Sequence, residues 1–494
     1  MNMIKKIGIV GGGNAGLISA LILRSAFPEH EIVVVKSDMI GTIGVGEGST
    51  EHWLGFMNFC GIEPAEMIVA ALATHKKGIR FEGWTDHTPD YFHVTSGLPD
   101  FVPRMFGFNG AYAGFLSKEW LLTEHTCHKG LLENKVPADN PHRSVNQFHF
   151  DTEELNDFLR MKVSNRNIKI IDGEVQRVVV KDDWIVSVEL DDPTASADRT
   201  IRADFWIDAS GFNKVLISHL SKQTWNSFGE YLLTDSAIAF RTPSDESGEL
   251  RPYTRARALD SGWAWEIPTQ AERGNGYVYS SSFCTEEEAV AEMEELLDVQ
   301  ISDHRHFQFD PGHLEEPWVG NCVAVGLAGS FVEPLEATSI GSTITQAKSL
   351  IGYLASFQKG NEWIPKEYNR QFNGMMANIL DMIRLHYVSD RTDTPFWSAL
   401  QDMPIPESLE RLLGLWSERP PQQMDFSHGE LAMFGLPHFY HVGQGQGVLN
   451  PDSAFRAIQA FVWEDSVEDA IWKIRENQSA HPIMDHHEAL ENLQ

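Results

Sequence analysis

Three glycines set the first chemical possibility. The run Gly11-Gly12-Gly13-Asn14-Ala15-Gly16 has GxGxxG spacing, between an apolar stretch at residues 3–10 and an apolar segment at residues 14–26. In such a turn Gly11 permits a tight bend, Gly13 lets a pyrophosphate approach the backbone, and Gly16 allows a helix to pack closely on a strand. Asn14 and Ala15 then start a helix whose N–H groups and positive dipole end suit phosphate. The expected chemistry is dinucleotide binding. About 20 residues further on an acid ordinarily binds the ribose hydroxyls. Here the β-branched run 31–35 ends in Lys36, and Asp38 falls two residues late. A cation there can donate to ribose oxygens or tolerate a phosphate; a lysine turned to solvent is the alternative. This departure weighs against a plain NAD site.

FAD sites draw on several further segments, and candidates for them are present. Trp206-Ile207-Asp208-Ala209-Ser210-Gly211 reads as a strand ending in a small-residue turn. It resembles the loop beside the adenine ribose in FAD monooxygenase folds, with Asp208 and Gly211 at the cofactor. Val323-Ala324-Val325-Gly326-Leu327-Ala328-Gly329, followed by Pro334, resembles the second flavin segment, with Leu327 near the place of its usual aspartate. The most specific pattern is Gly262-Trp263-Ala264-Trp265-Glu266-Ile267-Pro268. A strand puts Trp263 and Trp265 on one face, and a paired-aromatic core strand is the plain alternative. The WxWxIP spacing resembles the signature of flavin-dependent halogenases of the tryptophan halogenase family.

That resemblance assigns further residues. His75-Lys76-Lys77-Gly78-Ile79-Arg80-Phe81-Glu82-Gly83-Trp84 looks like the family's lysine strand and puts the catalytic lysine at Lys76, with Lys77 on the opposite side as a control. Gly44-Val45-Gly46-Glu47-Gly48-Ser49-Thr50 resembles the flavin-proximal loop, which brings Gly46 and Glu47 to the cofactor and has Gly48 where alanine is common. Phe331-Val332-Glu333-Pro334-Leu335-Glu336-Ala337-Thr338-Ser339 is similar to the segment carrying the second catalytic residue, which falls on Glu336. Thr338 and Ser339 take the positions whose backbone N–H groups hold halide, Ser339 where glycine is common. Phe439 and Tyr440 fall near the substrate pocket in a looser alignment.

The chemistry that the resemblance implies has two stages. Reduced FAD and O₂ convert chloride or bromide to hypohalous acid at the flavin. The acid passes through a tunnel to Lys76, which holds it by hydrogen bonding or as a haloamine. An electron-rich aromatic, an indole or tryptophan, then attacks the halogen, while Glu336 stabilises the cationic ring and takes its proton. Trp263 and Trp265 keep the organic substrate away from the flavin. Only one dinucleotide fingerprint is present, so FADH₂ is expected from a separate flavin reductase. Two other readings stay open: an FAD-dependent aromatic monooxygenase or related flavin oxidoreductase, and a flavin-binding protein that does not halogenate.

These residues need a scaffold. Strand, glycine turn, helix and strand within about 35 residues make a right-handed βαβ unit. Residues 51–73 have helical spacing, 78–84 read as a strand, and 151–165 as a helix with Asp151 or Thr152 as N-cap. Strand patterns fill much of 168–281, followed by an acidic helix at 285–298, a buried strand at 321–325 and a helix at 340–357. From residue 366 the chain reads as helical, with breaks at Pro420-Pro421 and at residues 443–447. The expected fold is α/β and FAD-dependent monooxygenase-like: a Rossmann-type βαβ part with a β-rich substrate domain, plus a C-terminal helical region. Residues 1–360 form the FAD-binding core, with a discontinuous nucleotide-binding part, and 361–494 the substrate-side helices.

Composition narrows the partners. The chain has 494 residues, 70 acidic against 39 basic, for a net charge of −31, which opposes binding to nucleic acid or an anionic membrane surface. Cys60, Cys127, Cys284 and Cys322 are far apart with no CxxC pair, so neither a disulfide framework nor a structural metal is expected. No apolar run reaches the roughly 18 residues a membrane span needs, and a cytoplasmic protein is expected; a homodimer stays open. His481, Asp485, His486 and His487 read as a frayed tail, and residues 303–306 as a solvated turn.

Overall fold

The computed structural model describes residues 4–37, 46–94, 131–191, 199–221, 223–244, 249–426, 431–450, 452–453, 456 and 482–493. Asp38, Gly44, Val45, Cys127 and His481 lie outside them. The first strand, Lys6–Val10, runs in the middle of a six-stranded sheet, parallel to Glu31–Lys36 on one side and Phe205–Asp208 on the other. Lys169–Asp172 and Cys322–Ala324 extend this parallel set, and the antiparallel strand Trp318–Val319 closes one edge. Ile7, Ile9, Val33 and Val34 are wholly buried, as strands covered on both faces require. Val10 pairs with both Val35 and Asp208, so the glycine turn, Lys36 and the turn after Asp208 leave the sheet at one edge. That carboxyl edge is where open α/β sheets bind ligands. The strands of this sheet come from widely separated stretches of the chain.

A seven-stranded sheet stands across from it. Its order is Arg305–Gln308, Ser236–Pro243, Glu272–Tyr279, Gly262–Pro268, Thr254–Leu259, Gly78–Glu82, Asp90–Val94, antiparallel throughout except where Thr254–Leu259 meets Gly78–Glu82. The strand carrying both tryptophans is therefore central. Its alternation turns Trp263, Trp265 and Ile267 toward the nucleotide-binding part, while Glu266 pairs with arginines on the other face. A small sheet of Glu47–Gly48, Gln147–Phe150 and Thr74–Lys76 lies between the two parts.

Several expected elements are corrected. The lysine segment is two strands, because the chain leaves the small sheet after Lys76 and enters the large one at Gly78. There the backbone passes so close to His93 that an added Cβ would stand 2.4 Å from its carbonyl oxygen, and only glycine fits. The 51–73 region is two helices, His52–Cys60 and Pro64–Ala70, parted by Gly61 at φ 60°. The helix expected from 340 is Thr338–Leu354, so Thr338 and Ser339 form its first turn. Residues 443–445 are not a loop but the last turn of helix Leu436–Gly445. Residues 305–308 form an edge strand rather than a turn. The tail is ordered: Ile483–Asp485 pairs with Lys135–Pro137, and Asp485 caps helix His486–Glu491.

Two helix bounds and caps match the expectation. Helix Asn14–Ala26 has the expected bounds, and Asp151 caps helix Thr152–Ser164 by accepting from the Glu153 and Glu154 amides. The C-terminal helices include Trp363–His386, Pro395–Asp402 and Glu407–Glu418. Their Phe372, Met376, Ile383, Trp397 and Leu412 share one hydrophobic cluster with Ile7, Leu21 and Trp263. Cys60, Cys284 and Cys322 are buried and unpaired. No described helix is long and apolar enough to cross a membrane, and no metal-ligating cluster occurs among the described residues.

Candidate active site

The glycine turn has the geometry its spacing demands. Gly11 adopts φ 124°, and a Cβ there would lie 2.1 Å from the Ala209 carbonyl oxygen. A Cβ on Gly16 would lie 2.0 Å from the Gly11 oxygen, so this glycine permits the helix to meet the turn. Gly13 has nothing within 4 Å of its added Cβ. It opens into a cavity of about 630 Å³.

Most of the residues singled out in the sequence line this one cavity. Gly11, Gly13, Asn14, Ala15 and Lys36 form one wall; Gly46, Glu47, Lys76, Trp263 and Trp265 another. Gly211, Gly326, Pro334, Thr338 and Ser339 complete it. Gly16 packs behind the turn. Asp208 is buried but turned to its own loop, accepting from Ser210 N–H and Oγ–H and from the amides of Leu216 and Ile217. It shapes the turn that lines the cavity rather than lining it. Burial pushes the Glu47 carboxyl up to about 7.

These residues fit a flavin dinucleotide. The open face at Gly13 is a cradle that any side chain would fill, and the buried Asn14 Nδ2 has no hydrogen-bond partner. Helix Asn14–Ala26 carries no side-chain cap, so its first amides are free for phosphate. Helix Thr338–Leu354 likewise starts without a side-chain cap, behind Ala337 at φ 53°. Its first turn, Thr338 and Ser339, points amides at the cavity, a geometry suited to a small anion.

Lys76 is 1% exposed and donates through Nζ to the Ser49 carbonyl oxygen at 2.9 Å. Burial lowers its pKa to about 8, against the opposing pull of Glu336 and Glu51. Lys77 is also buried, and its amide donates to the Pro252 oxygen, but it does not line the cavity. Trp263 donates from Nε1 to Glu333 Oε2 at 3.1 Å, and Tyr387 Oη and Thr234 Oγ1 donate to the same oxygen. Trp84 packs against Trp263, with ring centroids 6.2 Å apart.

Glu336 does not line the cavity, although Leu335 and Ala337 on either side of it do. It is 4% exposed and accepts from His93 Nδ1 at 2.8 Å and from His386 Nε2 at 2.7 Å. Burial alone would raise its pKa; the charge of His93 and the two hydrogen bonds outweigh this and hold it well below the usual carboxylate range. His386 stacks on Phe81, with centroids 4.3 Å apart, and meets Trp84 edge-on. These histidines were missed in the sequence. His386 ends the buried face of helix Trp363–His386, after Ile379, Met382 and Ile383, and a histidine on such a face is the one signal available. Phe439 and Tyr440 do not line the cavity: Phe439 packs on Phe426 and Trp416, and Tyr440 donates to the Pro421 oxygen.

Comparison with known proteins bears on this arrangement. A family model described as tryptophan halogenase matches residues 6–460. The tryptophan 7-halogenase RebH of Lentzea aerocolonigenes is 30% identical over 441 residues, 84% of this chain and 82% of the relative. The tryptophan 6-halogenase SttH of Streptomyces toxytricini is 30% identical over 492 residues, 91% of each. A solved flavin-dependent halogenase from Xanthomonas campestris superposes with a TM-score of 0.86 at 28% identity, covering 100% of this chain and 99% of that one. The chain belongs to the tryptophan halogenase family of flavin-dependent halogenases.

Proposed function

We propose that the chain uses reduced FAD, O₂ and chloride or bromide to halogenate an electron-rich aromatic carbon, on an indole or on tryptophan. Bound reduced flavin would activate O₂, and O₂ would supply the oxidising equivalents that turn halide into hypohalous acid. The turn Gly11–Ala15 would hold the pyrophosphate, with Lys36, Gly46, Glu47, Gly211, Gly326 and Pro334 around the rest of the cofactor. The first-turn amides of Thr338 and Ser339 would hold the halide. Trp263 and Trp265 exclude the aromatic substrate from the flavin side.

The observation that carries this reading is the pairing of Lys76 and Glu336. Lys76 is buried at the cavity wall, and Glu336, buried off the cavity and held as a carboxylate by His93 and His386, acts electrostatically on it. A desolvated ammonium polarises the oxygen of hypohalous acid and sharpens the halogen as an electrophile. The ring carbon forms its bond to halogen as the halogen–oxygen bond breaks; the departing hydroxide takes a proton from the Lys76 ammonium and leaves as water, and the ring proton then passes to a Glu336 carboxylate oxygen. Because Lys76 titrates near pH 8, a step that uses the ammonium falls away as pH rises through about 8, whereas a step through a haloamine rises. The pH dependence of product formation therefore separates the two modes left open by the sequence.

The test supplies FAD, NADH, a flavin reductase and either halide to the full chain with a panel of indoles. Products carrying a chlorine or bromine isotope pattern are expected; hydroxylated products alone would overturn the reading. The same reading takes the enzyme to be cytoplasmic and the residue 360 division to be functional, with helices beyond it on the substrate side. The assembly proposed for size measurement is a homodimer.

A further inference from the structure

A line of buried polar groups runs away from Glu336, and the halogenation steps above do not use it. His93 Nδ1 donates to Glu336, His93 Nε2 lies 3.0 Å from His438 Nδ1, and His438 Nε2 lies 3.3 Å from Glu51 Oε1. Glu51, with its side chain 29% exposed, is the end that reaches solvent. Burial alone would raise the Glu51 pKa; the charge and hydrogen bond of His438, helped by His52, hold it at about 2. Both ends of the line are thus ionised carboxylates, and these only accept hydrogen bonds. His93 Nδ1 and His438 Nε2 must each carry a proton, and the nitrogen–nitrogen contact between the rings needs one more. Three N–H groups on two imidazoles make one imidazolium.

We propose that Glu51 and His438 are positioning residues that pin this imidazolium beside Glu336, acting through His93, and so keep Glu336 a carboxylate able to take the ring proton. The inference rests on the reading of Glu336 as the proton acceptor in halogenation. The opposite flank supplies no such cation. His386 donates to Glu336 from Nε2, which leaves Nδ1 to accept from Tyr91 Oη–H, and Gln446 Nε2 donates to the Tyr91 oxygen. A ring so arranged is neutral, and burial lowers its pKa. The other titratable groups facing the line are Lys76, which acts on both glutamates, His52 beside Glu51, Lys348 behind His52, and His441, whose ring lies 6.0 Å from that of His93. With Lys76 charged, two carboxylates face two cations. Loss of the imidazolium would leave Glu336 opposed by Lys76 alone.

The experiment measures bromination of indole by the full chain with reductase-supplied FADH₂ from pH 9 down to the lowest pH at which the fold and bound FAD are retained, because a Glu336 held below the usual carboxylate range titrates below pH 5. Glu51→Gln replaces the carboxylate with a neutral amide that can donate to His438 as well as accept from it, and so removes the need for the extra proton. The acid limb of kcat is expected to move up by at least about one pH unit, because Glu336 loses a neighbouring cation, while KM changes less than about threefold. His438→Ala should shift the limb the same way, and added imidazole should restore it. An unshifted limb in folded, FAD-retaining Glu51→Gln, or a uniform loss at every pH, overturns the inference and leaves the halogenase reading standing. Should His438→Ala fail to fold, the near-isosteric, solvent-end Glu51→Gln decides alone. Full activity of Glu336→Gln would instead remove the role of Glu336, and the inference with it.

Discussion

The two ends of the proposed reaction centre are built in opposite ways. The flavin end is a backbone surface: six consecutive residues form the turn, and two tryptophans two positions apart form the screen. The Glu336 end is a network of polar groups gathered from five distant segments: Glu51 ahead of helix His52–Cys60, strand Asp90–Val94, the turn before Thr338, the end of helix Trp363–His386 and helix Leu436–Gly445. Shape governs the first and protonation the second. A substitution at the flavin end therefore acts by filling space, with little dependence on pH. One at the Glu336 end leaves the fold intact and moves a titration, because a buried charge that loses its partner must neutralise or find another.

Lys76 stands between the ends, and the largest effect is expected there. Lys76→Met should cut halogenated product by about 10³-fold or more while FAD is retained. Stability should change in the opposite direction. The folded pKa of about 8 lies below the ordinary 10.5, so the unfolded chain binds more protons between these values and stability rises with pH through that window. Below pH 8 the whole penalty of burying the ammonium applies. Methionine removes it, so denaturant unfolding at pH 7 should show a gain approaching about 3 kcal/mol. No gain would mean that the ammonium is better solvated than its burial indicates. Lys77→Ala, next along the chain but off the cavity wall, should keep most of its activity.

Glu336→Gln comes next. The amide keeps the shape but presents a donor where His93 and His386 already donate, so the proton acceptor is lost and one buried contact becomes donor against donor. A loss of about 10²-fold in kcat with KM for indole nearly unchanged is expected from steady-state kinetics. An equal loss in KM would show that Glu336 binds substrate rather than serving the chemistry.

This asymmetry also explains what could be read from the chain. Short-range patterns carried the flavin end: glycine spacing, the period-two alternation of Trp263 and Trp265, and the apolar runs that became the parallel strands. Such patterns fix neighbours within a turn or a strand. They did not reveal that the lysine segment breaks at Gly78, because the cause is a long-range approach to the His93 backbone. Nor did they reveal Glu51, His93, His386 or His438. Each is one polar residue in an ordinary element, and only the packing of the C-terminal helices against the sheet brings the four together. The resemblance to a family supplied Lys76 and Glu336, which spacing alone would not have chosen. The loose alignment suggested Phe439 and Tyr440; their neighbour His438 is the residue of that helix that reaches the Glu336 cluster.

Within the flavin end, shape can be tested against function with two glycines of the same turn. Gly16→Ala would press a methyl group 2.0 Å from the Gly11 carbonyl oxygen, a backbone atom that cannot swing away. Thermal or denaturant unfolding should show a loss of about 1–3 kcal/mol. Gly13→Ala meets no protein atom. It should unfold like the parent yet bind FAD about tenfold more weakly, since its methyl group takes the space of the phosphates. Equal stability losses in the two variants would break the distinction between packing glycine and cofactor glycine.

The smallest effect is expected where the two ends touch. An added Cβ on Gly48 would lie 3.2 Å from Lys76 Nζ and 3.5 Å from Cδ. Both atoms belong to a flexible side chain, so Gly48→Ala should fold and hold FAD normally, at the cost of moving the amine by a few tenths of an ångström. The Ser49 carbonyl that accepts from Nζ is one residue away, and its hydrogen bond must lengthen or turn as the lysine gives way. Misplacement of a reacting group by a whole ångström costs on the order of 10²-fold, so a shift of this size should change kcat by about threefold. Because the amine would be less well held, its titration near pH 8 should move as well, and the upper limb of the pH–rate profile would follow it. A change confined to FAD affinity would instead assign Gly48 to the flavin end alone.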